Sequence, residues 1–212
     1  MKCWKTYKNE KYDIQFKYPP TWEDAQEEEN PSNEMTQVDY LNVKFDEKYA
    51  KRVELSKISA YGDKYKEDTD LLLRVYNKTA EDIKPFILPP QNAAIQANTI
   101  PRYIESSNKK WRGISFFANI GNGYSTGLAG VAIMTDGGDN IAEFIISEDS
   151  NKSSDYPCIN DSTAGCSGDD VESTAKRFWD YVNSINEESS DEPVIKNFYS
   201  TSKKVIDSIE TL

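Results

Sequence analysis

Histidine is absent from all 212 residues. That removes the Ser-His-acid triad, the Cys-His dyad, histidine zinc sites and the commonest general base near neutral pH. Long apolar runs are missing too. No stretch approaches the ~18 residues that would mark a membrane-spanning helix. Positive charge is in deficit: 25 Lys and Arg stand against 36 Asp and Glu, for a net charge of −11. Such a balance opposes binding to nucleic acid or to an anionic membrane surface, and no Lys/Arg cluster reverses it. Nothing in the chain calls for a cofactor.

Cysteine is scarce, at three residues. Cys158 and Cys166 lie eight positions apart in a polar loop rich in Gly, Ser and Asp. A loop of this kind can bend the two Cα atoms to bridging distance, which favours a disulfide and an oxidising compartment. The competing reading is two free surface thiols. Cys3 has two readings as well. It is placed like the lipidated cysteine of a bacterial lipoprotein, but Lys2 is not the small residue that such a signal wants, and an incidental cysteine fits equally. Met1-Lys2-Cys3 opens straight into polar sequence, as a mature or trimmed form would.

What is present is a strand-rich pattern with helices at the end. A hydrophobic fraction of 37% is low, but the apolar residues are clustered, so one core and a single domain over 1–212 are expected. Residues 113–148 hold three apolar runs and should be the centre of a sheet. Ile114, Phe116, Ala118 and Ile120 share one face, with Phe117 on the other. Residues 128–134 have no polar side. Asp136-Gly137-Gly138-Asp139 reads as the turn into the third run, 140–147. Burial on both faces requires a layer on each side. Val171, Ala175, Phe178, Val182 and Ile185 follow helical spacing, and a second helix is expected from Pro193, with Val194, Phe198, Val205, Ile209 and Leu212 as its stripe. The packed C-terminal segment is set at 186–212, and residues 1–6 at the other end are expected to be a tether.

Elsewhere strict alternation over 12–18 predicts a half-buried strand, ended by Pro19-Pro20. Strands are further predicted at 38–45, 53–59, 71–76 and 100–105. Residues 23–37 read as an acidic loop, 61–70 as a charged turn, 92–98 as a linker or brief helical turn, and Thr79 as the cap of a short helix.

The stretch Tyr7-Lys8-Asn9-Glu10-Lys11-Tyr12-Asp13-Ile14-Gln15-Phe16-Lys17-Tyr18-Pro19-Pro20-Thr21-Trp22 resembles the opening of PsbP-like domains and of small bacterial lipoproteins related to them. Their pattern is roughly Y-x-N-x-x-Y-G-F-x-F-x-Y-P-x-x-W. Asp13 stands where that family has glycine. The resemblance implies the Mog1/PsbP-like α+β fold, a mainly antiparallel sheet between helices, in a family that is mostly non-catalytic. A fold by itself assigns no activity.

Few residues offer chemistry. Gly123-Tyr124-Ser125-Thr126-Gly127 spells the G-x-S-x-G string of a nucleophile elbow, but the next segment reads as a strand and no histidine exists to take the serine proton. Asp136, Asp139 and Asn140 offer calcium-type oxygen ligands, fewer than the six to eight that calcium takes. The paired acids give no sign of one raised and one lowered pKa. Asn122 and Tyr124 are candidate binding residues, and Tyr61, Tyr65, Tyr124 and Tyr156 lie in loop-like stretches suited to recognition. The expected function is a non-catalytic, lipoprotein-like module, secreted or anchored to the cell envelope, with a protein partner. The alternatives are a carbohydrate-binding or calcium-dependent surface module, and a histidine-free hydrolase acting through Ser125.

Overall fold

The structure is a computed structural model that describes residues 3–31, 38–46, 50–81, 83, 95–97, 101–120, 127–149, 173–174, 176–177, 180, 195–196 and 198–212. Its strands in chain order are β1 (Lys5–Asn9), β2 (Ile14–Tyr18), β3 (Gln26–Asn30), β4 (Tyr40–Lys44), β5 (Lys51–Lys57), β6 (Ile95–Ala97), β7 (Arg102–Glu105), β8 (Arg112–Ile120), β9 (Gly127–Thr135) and β10 (Asn140–Asp149). Helix α1 (Lys66–Tyr76) follows β5, and a π-helical turn (Phe198–Ser202) leads into the C-terminal helix (Lys203–Asp207). All strand pairings are antiparallel. The fold is therefore α+β.

Eight strands form one sheet in the order β3-β4-β5-β10-β9-β8-β6, with β7 also paired to β8. The three apolar runs of the sequence are its interior, because only strands covered on both faces can be apolar on both. Val131 and Ile133 of β9 enter one core cluster, Ala132 and Met134 the other. The same alternation sends Ile114 and Phe116 to one face and Phe117 to the other. Between β8 and β9 the backbones are so close that a Cβ on Gly113 would lie 1.8 Å from the Ile133 carbonyl oxygen. Glycine is the residue that fits there.

One face is covered by α1, whose buried side is Thr69, Leu71, Leu72 and Val75. The other face is covered by a separate two-stranded sheet, β1-β2, and by the C-terminal helix. Phe16 of β2 sits at the middle of that layer, 5.4 Å from the Phe144 ring and 6.1 Å from that of Phe45. The C-terminal segment adds Ile195, Val205, Ile206 and Ile209. The Glu210 amide and carbonyl exchange hydrogen bonds with Gln15, which fixes the chain end against β2.

Several expectations are corrected. The run 71–76 is helix and not strand: three consecutive leucines hide the period, but Thr69, Leu72 and Val75 recur at helical spacing. Thr79 caps no new helix. Its amide donates to Arg74 O at the end of α1, and Lys78 takes the left-handed conformation there (φ 58°). The acidic stretch contains β3, and the linker contains β6. The N-terminal strand is half of a hairpin, and its partner β1 begins at Lys5, inside the presumed tether. Leu212 is exposed, outside the apolar stripe, and Ile195 and Ile206 are buried residues that the stripe omitted. Residues 173, 174, 176, 177 and 180 are helical, as the spacing predicted. Val171, Ala175, Phe178, Val182 and Ile185 of the expected stripe, Val194 and the side chain of Phe198 lie outside the described residues.

Candidate functional site

Two charged residues stand in the middle of otherwise apolar strands: Glu54 between Val53 and Leu55, and Glu143 between Ala142 and Phe144. In a strand, neighbours alternate in direction, so each glutamate points opposite to the apolar side chains beside it. Val53, Leu55, Ala142 and Phe144 belong to the core beneath β1-β2. The glutamates therefore lie on the α1 side of the sheet. There they meet, because Glu54 and Glu143 are direct cross-strand partners, the fourth of seven pairs joining β5 to β10. Asn42 of β4 is the next partner of Glu54 in the same row. Direct partners in such a row hold their Cβ atoms about 5 Å apart.

The row is buried. Glu54 and Glu143 are each 3% exposed and Asn42 is 7% exposed. Arg52, two residues along β5 on the same face, donates from Nε to Glu54 Oε1 at 3.0 Å. Ser56, two residues the other way, is bonded through Oγ to the Tyr61 hydroxyl at 3.0 Å. Glu143 Oε1 and Asn42 Oδ1 have no hydrogen-bond partner among the described residues. Burial, and after it the charge of Glu54, pushes the Glu143 carboxyl well above the usual carboxylate range, against the pull of Arg52. Burial also raises the Tyr61 hydroxyl, with the Ser56 hydrogen bond acting against it and the charges of Glu143 and Glu54 reinforcing it. Among the described residues, these two carboxylates on one guanidinium hold one negative charge in excess, which a single proton removes. This site was missed in the sequence. The signal was a glutamate within each apolar run, but the pairing joins residues 89 positions apart and no local pattern announces it.

The predicted ligand turn has a structural task. Asp136 Oδ1 accepts from the amides of Gly138 and Asn140 at 2.8 and 3.2 Å, and Oδ2 accepts from Asn140 Nδ2 at 2.5 Å. The Asp139 carboxylate accepts from the Ser59 amide and hydroxyl at 2.7 and 2.8 Å. Lys57 Nζ donates to Asn140 Oδ1. All three oxygen-bearing side chains thus bind protein donors, closing the β9-β10 turn and tying it to the end of β5. Gly137 supplies the left-handed conformation of that turn (φ 80°), and a Cβ there would come within 2.2 Å of the Tyr76 ring. Among the described residues, no group of three or more His, Cys, Asp or Glu is placed to hold a metal ion.

Tyr65 is buried and Tyr61 half-buried, packed edge to face at 6.1 Å against each other at the start of α1, so neither is a free recognition group. Cys3 is an exposed free thiol. Asn122, Tyr124, Ser125, Tyr156, Cys158 and Cys166 lie outside the described residues. Gly127, the last residue of the G-x-S-x-G string, opens β9, so strand and not helix follows the serine. Asp13 adopts φ 49°, a conformation glycine takes freely and aspartate tolerates, and its Oδ1 accepts from the Leu212 amide at 3.1 Å. No helix of the described residues is long and apolar enough to cross a membrane. No protein-family model matches the chain, and the comparison with curated proteins returns no match.

Proposed function

We propose that this chain is a non-catalytic binding module of the cell envelope that takes a basic, extended segment of a protein partner along β3. The observation that carries the reading is β3 itself. It is the outermost strand of the sheet among the described residues, its sequence is Gln-Glu-Glu-Glu-Asn, and its first four residues are exposed. An edge strand is a template for strand addition, and natural edges are charged to prevent unwanted pairing. Three successive glutamates repel a second copy of this acidic chain and attract a segment rich in Lys or Arg. The strand is also held in place. Tyr7 Oη donates to Glu27 at 2.6 Å, and the Lys11 and Lys44 ammonium groups pair with Glu29 and Glu28 at 3.4 and 2.6 Å.

The envelope part of the reading draws on Cys3 and on the loop cysteines. Cys3 is exposed two residues before β1, so a lipid attached there would tether the domain without entering its core. In an oxidising compartment Cys158 and Cys166 form a disulfide. The non-reduced protein should then be two hydrogens lighter than its reduced form, and two alkylatable thiols would remove that argument.

The deciding experiment is fluorescence anisotropy with a labelled peptide of alternating Lys and Val, and with its Glu-for-Lys counterpart. Saturable binding of the basic peptide is expected, weakened by salt and abolished in the Glu27→Lys/Glu29→Lys variant. Equal binding of both peptides, or binding indifferent to that charge reversal, would reject β3 as the site.

A further inference from the structure

Among the described residues, the edge-strand reading leaves unused a pair of buried carboxyls, Glu54 and Glu143. We infer that Glu54 and Glu143 share a single proton, and that this proton latches the outer strands β3-β4-β5 to the central strands β10-β9-β8. The geometry is that of the β5-β10 seam. Among the described residues it is the junction between the two halves of the sheet, and Glu143–Glu54 is the middle pair of the seven that close it. Like charges directly opposite each other destabilise a strand pair, and burial magnifies the effect.

The groups around Glu143 leave no other neutralising partner among the described residues. Those facing it are Glu54 and Arg52 of β5 and the Tyr61 hydroxyl. Its partner on β9 is Ile133, and the buried side of α1 is Thr69, Leu71, Leu72 and Val75, none of them ionisable. Arg52 Nε is already committed to Glu54. Glu143 Oε1 has no donor. A proton on Glu143 converts this orphaned acceptor into a donor facing the Glu54 carboxylate, and brings the Arg52–Glu54–Glu143 cluster to neutrality. Loss of that proton leaves two carboxylates on one guanidinium in the middle of the seam.

The sign of the pH effect follows. Burial and the Glu54 charge raise the folded pKa of Glu143 above its unfolded value. Stability from this group is complete below the ordinary carboxylate range and is lost as pH rises through the raised value. Between those limits the unfolding constant grows about tenfold per pH unit.

Two measurements on the intact chain test the latch. Infrared difference spectra of the wild type should contain a protonated carboxyl band at neutral pH, absent from Glu143→Gln. Hydrogen exchange, corrected for intrinsic rates, should find β5 and β10 amides losing protection with rising pH while β8-β9 amides hold theirs. In Glu143→Gln that pH dependence should vanish. A wild type with no protonated carboxyl at neutral pH would overturn the inference. So would parallel pH profiles for wild type and variant, or a seam that tightens with added calcium or sodium, which would make the occupant a metal cation. None of these readouts depends on β3 binding a peptide.

Discussion

The α1 side of the sheet has two halves of opposite character. Over β8, β9 and β10 it carries Ile114, Phe116, Val131, Ile133, Ile141 and Ile145, in one apolar cluster with the buried side of α1. Over β5, β4 and β3 the same rows continue as Arg52, Glu54, Ser56, Asn42, Lys44 and Glu28. The opposite side of the sheet makes no such distinction, for Leu41, Val43, Val53 and Leu55 join Ala132, Met134 and Phe144 in one apolar cluster. The outer strands are therefore anchored by a dry underside and are polar above. Their attachment to the centre rests on apolar packing below and on a balance of charge above. The second titrates with pH, and the first does not.

The sharpest way to break the dry half is Gly113→Ala. A Cβ at that position lies 1.8 Å from a backbone oxygen that cannot move without parting β8 from β9. A loss of more than ~4 kcal/mol, or failure to fold, is expected by denaturant unfolding. An unchanged midpoint would mean that the two strands are farther apart than described.

The halves can then be compared directly. Ile133→Ala, at 0% exposure in the dry half, should lower stability by about 2–5 kcal/mol through lost contacts and a cavity. Asn42→Leu, in the same sheet and also buried, should stay within about 1 kcal/mol of wild type. It removes an oxygen without a partner and substitutes a side chain of similar size. If Asn42→Leu were as damaging as Ile133→Ala, the polar half would be specified as tightly as the apolar one.

Within the polar half the two glutamates should differ in sign. Glu54→Gln weakens the charge-assisted bond donated by Arg52 Nε, from a side chain 11% exposed, and should destabilise by about 1–3 kcal/mol at neutral pH. Glu143→Gln should stabilise at neutral pH and change nothing below the ordinary carboxylate range, where wild-type Glu143 is itself neutral. Thermal unfolding across that range checks both. Identical signs for the two variants would dissolve the distinction between a paired and an excess carboxylate.

How much of this was legible in the sequence depends on whether the relevant signal was local. The runs in β8, β9 and β10 were readable because a strand buried on both faces is apolar throughout. β2 was readable because its alternation is strict. β3 was not, since Gln26-Glu27-Glu28-Glu29-Asn30 contains no apolar residue, and its place in the sheet comes from pairing with β4. β1 has one buried side chain, Tyr7, too little for a period. Helix α1 was mistaken for a strand because Leu71-Leu72-Leu73 masks its spacing. The Glu54–Glu143 pair was half legible: an acid amid apolar neighbours is visible, but its partner is set by long-range register.

The smallest effect is expected at Ser125, and it bears on whether the chain is a binding module at all. Hydrolysis near neutral pH needs a base with a pKa near that pH, or a metal that makes hydroxide. The chain has no histidine. Glu143, a carboxyl whose pKa is pushed far up, is 3% exposed between β5 and β9, on strands whose neighbours are fixed by the sheet. A base must reach its proton within hydrogen-bond distance, and a side chain locked in a cross-strand pair inside the sheet has no path to an external substrate. The strand that follows Gly127 also differs from the helix that a nucleophile elbow requires. Ser125→Ala should therefore leave stability within about 0.5 kcal/mol of wild type and leave any trace esterase or peptidase rate unchanged. A panel of ester and peptide substrates on both proteins is the measurement. Turnover by the wild type that disappears in Ser125→Ala would replace the binding module with a hydrolase whose base is not Glu143.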